Sequence, residues 1–195
     1  MYVRSKAAGE RVLSSLERFL QRRLRLHVNR EKSAVDRPWK RKFLGYTVTP
    51  GRKLRLKVAP ESLRRLKAKL RRLFGTGRGQ SLKGAFKLIK PVIQGWTAYF
   101  RLSDVKETFL LLDQWLRHRA RALLWRHWRQ PKTRLKELCR RGLSPDEAKK
   151  CSNNGLGPWH NSAMKQMNFA VPTRWLSDLG LVSFLETYAR LAPSR

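Results

Sequence analysis

The chain opens with a helical pattern. Between residues 9 and 25, Val12, Leu16, Phe19, Leu20 and Leu24 recur near a 3.6-residue period, which predicts an amphipathic helix with a basic outer face. Leu24, Leu26 and Val28 then alternate up to Asn29, a period of two that predicts a short strand. Residues 42–49 and 53–58 alternate in the same way around Pro50-Gly51-Arg52. Pro and Gly between two alternating runs predict a turn, and hence a β-hairpin.

From Pro60 onward the period is helical again. Proline is tolerated in a first helical turn, and Glu61 suits the positive end of the helix dipole. Leu63, Leu66, Leu70 and Leu73 form one stripe, and Arg64, Arg65, Lys67, Lys69, Arg71 and Arg72 take much of the rest. Gly75-Thr76-Gly77-Arg78-Gly79 breaks the pattern and reads as a flexible linker and boundary. Ser81 is placed to cap a helix running to about Phe100, with a bend at Pro91, and Asp104 to cap a second one carrying Phe109, Leu112, Trp115, Leu116, Leu123 and Trp125. Shorter helices are predicted over 132–141, 144–150 and 173–190, with a loop over 153–158 and no internal repeat. Trp96, Tyr99 and Phe100 stand at i, i+3 and i+4, the spacing of a buried helix face, and Trp115 with Leu112 and Leu116 reads the same way. The fold class is mainly α: a helical bundle over 60–195, preceded over 1–58 by a small α+β part with a β-hairpin.

Composition sharpens this. The length suits one domain or two small ones, and 41% hydrophobic residues suffice for a core. No run approaches the roughly 18–20 apolar residues of a membrane span. The opening MYVRSKAAGERVL lacks the apolar stretch of a signal peptide, so no membrane partner is expected and the compartment is the cytoplasm, or else an organelle matrix. Cys139 and Cys151 have no ligand-like spacing to His118, His127 or His160. They read as reduced thiols, and no metal site is expected.

Charge changes the picture most. The chain has 45 Lys+Arg against 13 Asp+Glu, for +32, and residues 1–141 hold 39 of the former and 9 of the latter. The same region holds five of the seven tryptophans, so it is a foldable segment rather than a basic tail. Such a density disfavours a compact state unless a polyanion offsets it, and nucleic acid is the expected partner. The candidate contacts are Arg64, Arg65, Lys67, Lys69, Arg71, Arg72, Lys83, Lys87, Lys90, Arg101, Arg117 and Arg121, with Arg22, Arg23, Arg25, Arg119 and Arg126 adding to the field. For any single helix the competing explanation is a solvated basic face. Arg outnumbers Lys 28 to 17, which suits phosphate and stacking contacts.

The motifs, in order, resemble a known family. LRLHVNREKS (24–33) followed by Phe43-Leu44-Gly45-Tyr46 is similar to two late motifs of the reverse transcriptases encoded by group II introns. Pro91-Val-Ile-Gln-Gly-Trp96-Thr-Ala-Tyr-Phe100, with Gly95, Trp96, Tyr99 and Phe100 at its centre, resembles the core of that family's maturase-specific domain, also called domain X or thumb. Leu112-Asp113-Gln114-Trp115-Leu116, Gly157-Pro158-Trp159, Leu179-Gly180-Leu181 and Tyr188 follow in the family's order. The resemblance implies a palm remnant over 1–58 and a helical thumb over 60–195. It implies group II intron RNA as partner, held in its splicing-competent form, and DNA or an RNA–DNA hybrid as a partner of the intact enzyme. Phe43, Leu44, Gly45 and Tyr46 would derive from a primer grip, against the alternative of an ordinary hairpin core, and Lys32 would match a basic residue near the incoming nucleotide.

Two departures matter. Gln94 stands where the family usually has arginine before Gly-Trp, and the family's Tyr-Ala-Asp-Asp would lie just upstream of Tyr2-Val3-Arg4-Ser5. Nucleotidyl transfer needs carboxylates holding two metal ions, and the first 30 residues offer only Glu10 and Glu17, both on the predicted helix. No catalytic residue and no cofactor are therefore expected in this chain, the Mg²⁺ belonging to the intact polymerase. The alternatives are a polymerase fragment active only with the missing N-terminal part, a remnant without function, and a generic RNA-binding protein, which fits the charge but not the ordered motifs. No sequence feature sets an oligomeric state.

Overall fold

The computed structural model describes residues 3–51, 53–75 and 81–191. The first helix, α1 (Lys6–Leu24), starts where the Ser5 Oγ accepts the Ala8 N–H at 3.2 Å. It ends at Arg25, whose φ is 53°, with the Leu26 N–H closing on the Leu20 carbonyl at 3.1 Å. That left-handed residue interrupts the extended backbone, and among the described residues no neighbouring strand offers a ladder, so the strand expected at Leu24–Val28 does not form. Leu24 and Leu26 are exposed.

The hairpin is present but shorter than its alternating runs. Strands β1 (Tyr46–Val48) and β2 (Leu56–Val58) pair antiparallel, with Tyr46 opposite Val58 and Val48 opposite Leu56. Residues 42–45 leave the strand because Phe43 and Tyr46 close a tight turn of their own. Each N–H donates to the other's carbonyl at 2.9 Å, around Leu44 and Gly45 at φ 49° and 78°. Positive φ at both central residues is the hairpin-turn geometry that favours glycine. Arg52, in the turn expected between the strands, lies outside the described residues.

Among the described residues nine helices follow: α2 (Pro60–Gly75), α3 (Leu82–Tyr99), α4 (Glu107–His127), α5 (Pro131–Arg140), α6 (Pro145–Ser152), α7 (Pro158–Ala163), α8 (Lys165–Ala170), α9 (Thr173–Asp178) and α10 (Phe184–Leu191). Thr76–Gly79 of the expected linker lie outside the described residues. Ser81 caps α3 by accepting the Gly84 N–H, Ser144 caps α6 by accepting the Glu147 N–H, and Pro91 sits inside α3.

Two further expectations are corrected, and two helices stand where none was expected. Asp104 does not cap α4, which starts after Lys106 without a side-chain cap. Asp104 instead accepts the Leu56 N–H at 2.9 Å and donates its own N–H to the Leu56 carbonyl at 2.7 Å, extending the edge of β2. The helix expected over 173–190 is two helices, because Gly180 turns at φ 106° while the Leu181 N–H closes on the Leu176 carbonyl. Residues 158–170, beyond the expected loop, form α7 and α8. Each has six residues, less than two helical turns and too short to show a repeating apolar stripe.

One core joins these parts. Leu66, Leu70 and Phe74 of α2, Phe86, Ile89 and Ile93 of α3, and Phe109, Leu112 and Leu116 of α4 belong to a cluster that continues through Leu138, Met167, Leu176 and Phe184. Val58 brings β2 into the same cluster. Asp113, buried in α4, starts α10 from outside: its carboxylate accepts the Ser183 hydroxyl (2.6 Å) and the Phe184 and Leu185 N–H groups (2.7 and 3.1 Å). Helix α1 adds nothing to this core. Its one buried residue is Gly9, where a Cβ would stand 2.5 Å from Val35 Cγ1. Among the described residues no helix is long and apolar enough to cross a membrane.

Candidate nucleic-acid interface

The basic residues of α2 divide by their position around the helix. The leucine stripe faces α3, so Arg64, Arg65, Lys69, Arg71 and Arg72 are exposed, and Lys67 is half-buried at the edge. Arg65 and Lys42 both pair with Glu61. Lys67 and Arg71 turn toward α4 instead. The Lys67 ammonium lies 5.6 Å and the Arg71 guanidinium 5.8 Å from the ring centroid of Trp115, within cation–π range.

Helix α4 continues that strip. Arg119 has its pKa lowered by burial first, then by the like charges of Arg126 and Arg71, so these three cations share one region. The Arg119 guanidinium is 5.8 Å from the ring of Trp159 on α7. The Trp159 ring stacks on His118 with centroids 3.6 Å apart. His118 Nε2 lies 2.8 Å from the Trp159 carbonyl, and since a carbonyl only accepts, Nε2 carries the hydrogen. Among the described residues no carboxylate pairs with Lys67, Arg71 or Arg119.

Residues 63–142 match the family model of the group II intron, maturase-specific domain. The match supports a group II intron maturase. No curated protein matches the chain. The matched segment runs from the first turns of α2 through α5 and holds Lys67, Arg71, Trp115 and Arg119 of the strip. Helix α1, the hairpin and α6–α10 lie outside it.

Within the matched segment the other candidate residues separate. Lys83, Lys87 and Lys90 are exposed along α3 at i, i+4 and i+7, and Arg101 is exposed just after it. Gly95 is exposed, with nothing within 4 Å of where a Cβ would be, and Gln94 beside it is exposed too. Trp96 packs inward, 4.5 Å from Phe100 and 5.8 Å from Phe184 between ring centroids, and Phe100 is buried. Tyr99 departs from the expected core role: it is 55% exposed, and its hydroxyl donates to the Leu44 carbonyl at 3.0 Å. Arg117 is half-buried, whereas Arg121 is 7% exposed and donates Nε–H to the Val171 carbonyl at 2.9 Å. Burial first, then Arg117, pushes the Arg121 guanidinium down to about 10.

Phe43, Leu44, Gly45 and Tyr46 divide as well. Gly45 and Tyr46 are a joint: the Gly45 carbonyl accepts the Ser62 hydroxyl and the Ala59 N–H, and the Tyr46 hydroxyl donates to the Tyr99 carbonyl at 2.6 Å. Phe43 is 79% exposed and Leu44 is exposed, so the aromatic at the turn is not packed in a hairpin core. Lys32 is exposed in a turn, its N–H bonded to Asn29 Oδ1. Periodicity reaches none of the contacts that carry His118 and Trp159, because they join residues 41 apart in sequence.

Proposed function

We propose that the chain is the RNA-binding maturase portion of a group II intron reverse transcriptase and that it stabilises folded intron RNA for splicing. The observation that carries this reading is the uncompensated cluster of Lys67 and Arg71 at Trp115 with Arg119, which repels Arg71 and lies against Trp159, inside the segment that matches the maturase-specific model. Cations without acidic partners repel one another; RNA phosphates relieve that repulsion, and the protein's cations in turn displace counterions condensed on the RNA. Indole faces beside them favour guanidinium and ammonium positions that a phosphate backbone can approach. Folded RNA is bound through shape, phosphates and 2′-hydroxyls, and the splicing chemistry stays with the RNA.

Among the described residues no three His, Cys, Asp or Glu side chains gather to hold a metal ion, and Glu10 and Glu17 lie on α1. These residues do not fit the Mg²⁺ pair of nucleotidyl transfer. A second reading, a polymerase fragment completed by an upstream part, is favoured by the exposed Phe43 and Leu44 at the turn, a tip that a primer strand could approach.

The test is binding of the chain to a group II intron RNA and to an unrelated RNA of equal length, across a salt series. Intron RNA is expected to keep its advantage as salt removes the non-specific part. Equal affinities at every salt concentration would overturn the maturase reading and leave only charge-driven adhesion.

A further inference from the structure

Helix α4 faces α7–α9 across a cleft of about 520 Å³, lined on one side by Gln114, Arg117, His118 and Arg121 and on the other by residues that include Asn168 and Thr173. Arg117 and Arg121 stand one turn apart on α4. Neither has a carboxylate partner among the described residues. Arg121 is nearly buried, yet the protein engages only its Nε–H, through the Val171 carbonyl. A guanidinium has five N–H donors, so four remain, beside those of Arg117, and a buried cation left without an anion is costly. The opposite wall adds groups suited to a sugar. The Asn168 amide N–H groups are held by the Ala163 and Met164 carbonyls, which leaves its Oδ1 as an acceptor, and the hydroxyl of the exposed Thr173 has no protein hydrogen-bond partner among the described residues.

We propose that this cleft is a binding site for one phosphate–ribose unit of an RNA backbone, with Arg117 and Arg121 on the phosphate and Asn168, Gln114 and Thr173 beside the ribose. The site rests on the RNA-binding reading above and extends it to a new place. One wall lies in the maturase-specific segment and the other, beyond residue 142, in the part of the chain with only 6 Lys+Arg and 4 Asp+Glu. The C-terminal helices thus take part in recognition as well as packing. Two guanidiniums with free donors match phosphate oxygens in pairs. The volume exceeds what a bare phosphate needs, and an acceptor facing the sugar distinguishes RNA from DNA through the 2′-hydroxyl.

Two measurements test the cleft. The unmodified chain, cross-linked through 4-thiouridine to a bound group II intron RNA and digested, is expected to give adducts on peptides from 114–121 and from 162–173. Adducts confined to α2 and α3, with RNA still bound, overturn the cleft and leave the RNA-binding reading standing; loss of all RNA binding overturns that reading first. In parallel, Arg117→Gln is expected to reduce the slope of log affinity against log salt by up to about 1, one of the two cations on the phosphate being lost. An unchanged slope overturns the assignment. So does saturable binding of orthophosphate by the unmodified chain with no change in the Arg117→Gln slope on RNA, which assigns the cleft to a free anion.

Discussion

At Gly45, φ is +78°, and a Cβ would stand 3.0 Å from both Phe100 Cζ and Ser62 Oγ. The backbone conformation and the close approach of α2 and α3 each exclude a side chain, and this is a structural reason for a glycine in a motif that also resembles a primer grip. Gly45→Ala should therefore cost about 1–3 kcal/mol in urea unfolding, from left-handed strain and steric adjustment together. Asp113 is the second residue on which much depends. It satisfies three donors at the start of α10 from the middle of α4. Asp113→Ala strands these groups in the core and should cost roughly 3 kcal/mol, and Asp113→Asn less, because one acceptor survives. Equal losses for Ala and Asn would show that shape rather than acceptance matters there.

Two tyrosines join elements by reciprocal use. The Tyr46 hydroxyl donates to the carbonyl of Tyr99, and the Tyr99 hydroxyl donates to the carbonyl of Leu44, so the β1 turn and the end of α3 hold each other. Tyr46→Phe and Tyr99→Phe should each lose about 1 kcal/mol, and the double mutant should lose less than their sum, since the two bonds share one geometry. The same joint has a pH signature. Burial raises the Tyr46 pKa above its ordinary 10.0, so in the unfolded chain Tyr46 ionises first. Its contribution is complete below about pH 10 and is lost as pH rises through the folded value. The stability of Tyr46→Phe to unfolding should accordingly fall less steeply above pH 10 than that of the unmodified chain.

Elements with a long apolar period, α2, α3 and α4, were legible in the sequence, as were the caps at Ser81 and Ser144, because those signals are local. Tyr99 was misread because its i, i+3 spacing to Trp96 and Phe100 placed it on the buried face, while the β1 turn takes its hydroxyl from outside. Asp104 was misread because its partner, Leu56, is 48 residues away. The candidate cations on α2 were legible as charges. Their division into those paired at Glu61 and those turned to Trp115 was not, since it depends on where α4 lies.

For the molecule as a whole, salt should act in opposite directions on folding and on binding. The net charge of +32 is carried almost entirely by residues 1–141, on a body whose hairpin, helices α2–α6 and helices α8–α10 share one core. Among the described residues the acids that do form ion pairs, such as Glu61 with Lys42 and Arg65, serve local contacts and leave the Trp115 strip uncompensated. Repulsion across that strip is screened by ions, with a Debye length falling from about 14 Å near 50 mM to about 7 Å near 200 mM salt. The free chain should therefore melt at higher temperature as salt rises over that range. RNA binding should weaken over the same range, by roughly 10³–10⁵ if six to ten phosphates are contacted. The melting increment conferred by RNA, which follows from affinity and concentration, should then shrink while the melting temperature of the free chain climbs. Thermal melts with and without RNA at matched salt separate the two effects. A free chain indifferent to salt would mean that its packing already tolerates the charge, and the repulsion would then favour RNA only at the surface, without any contribution to holding the fold together.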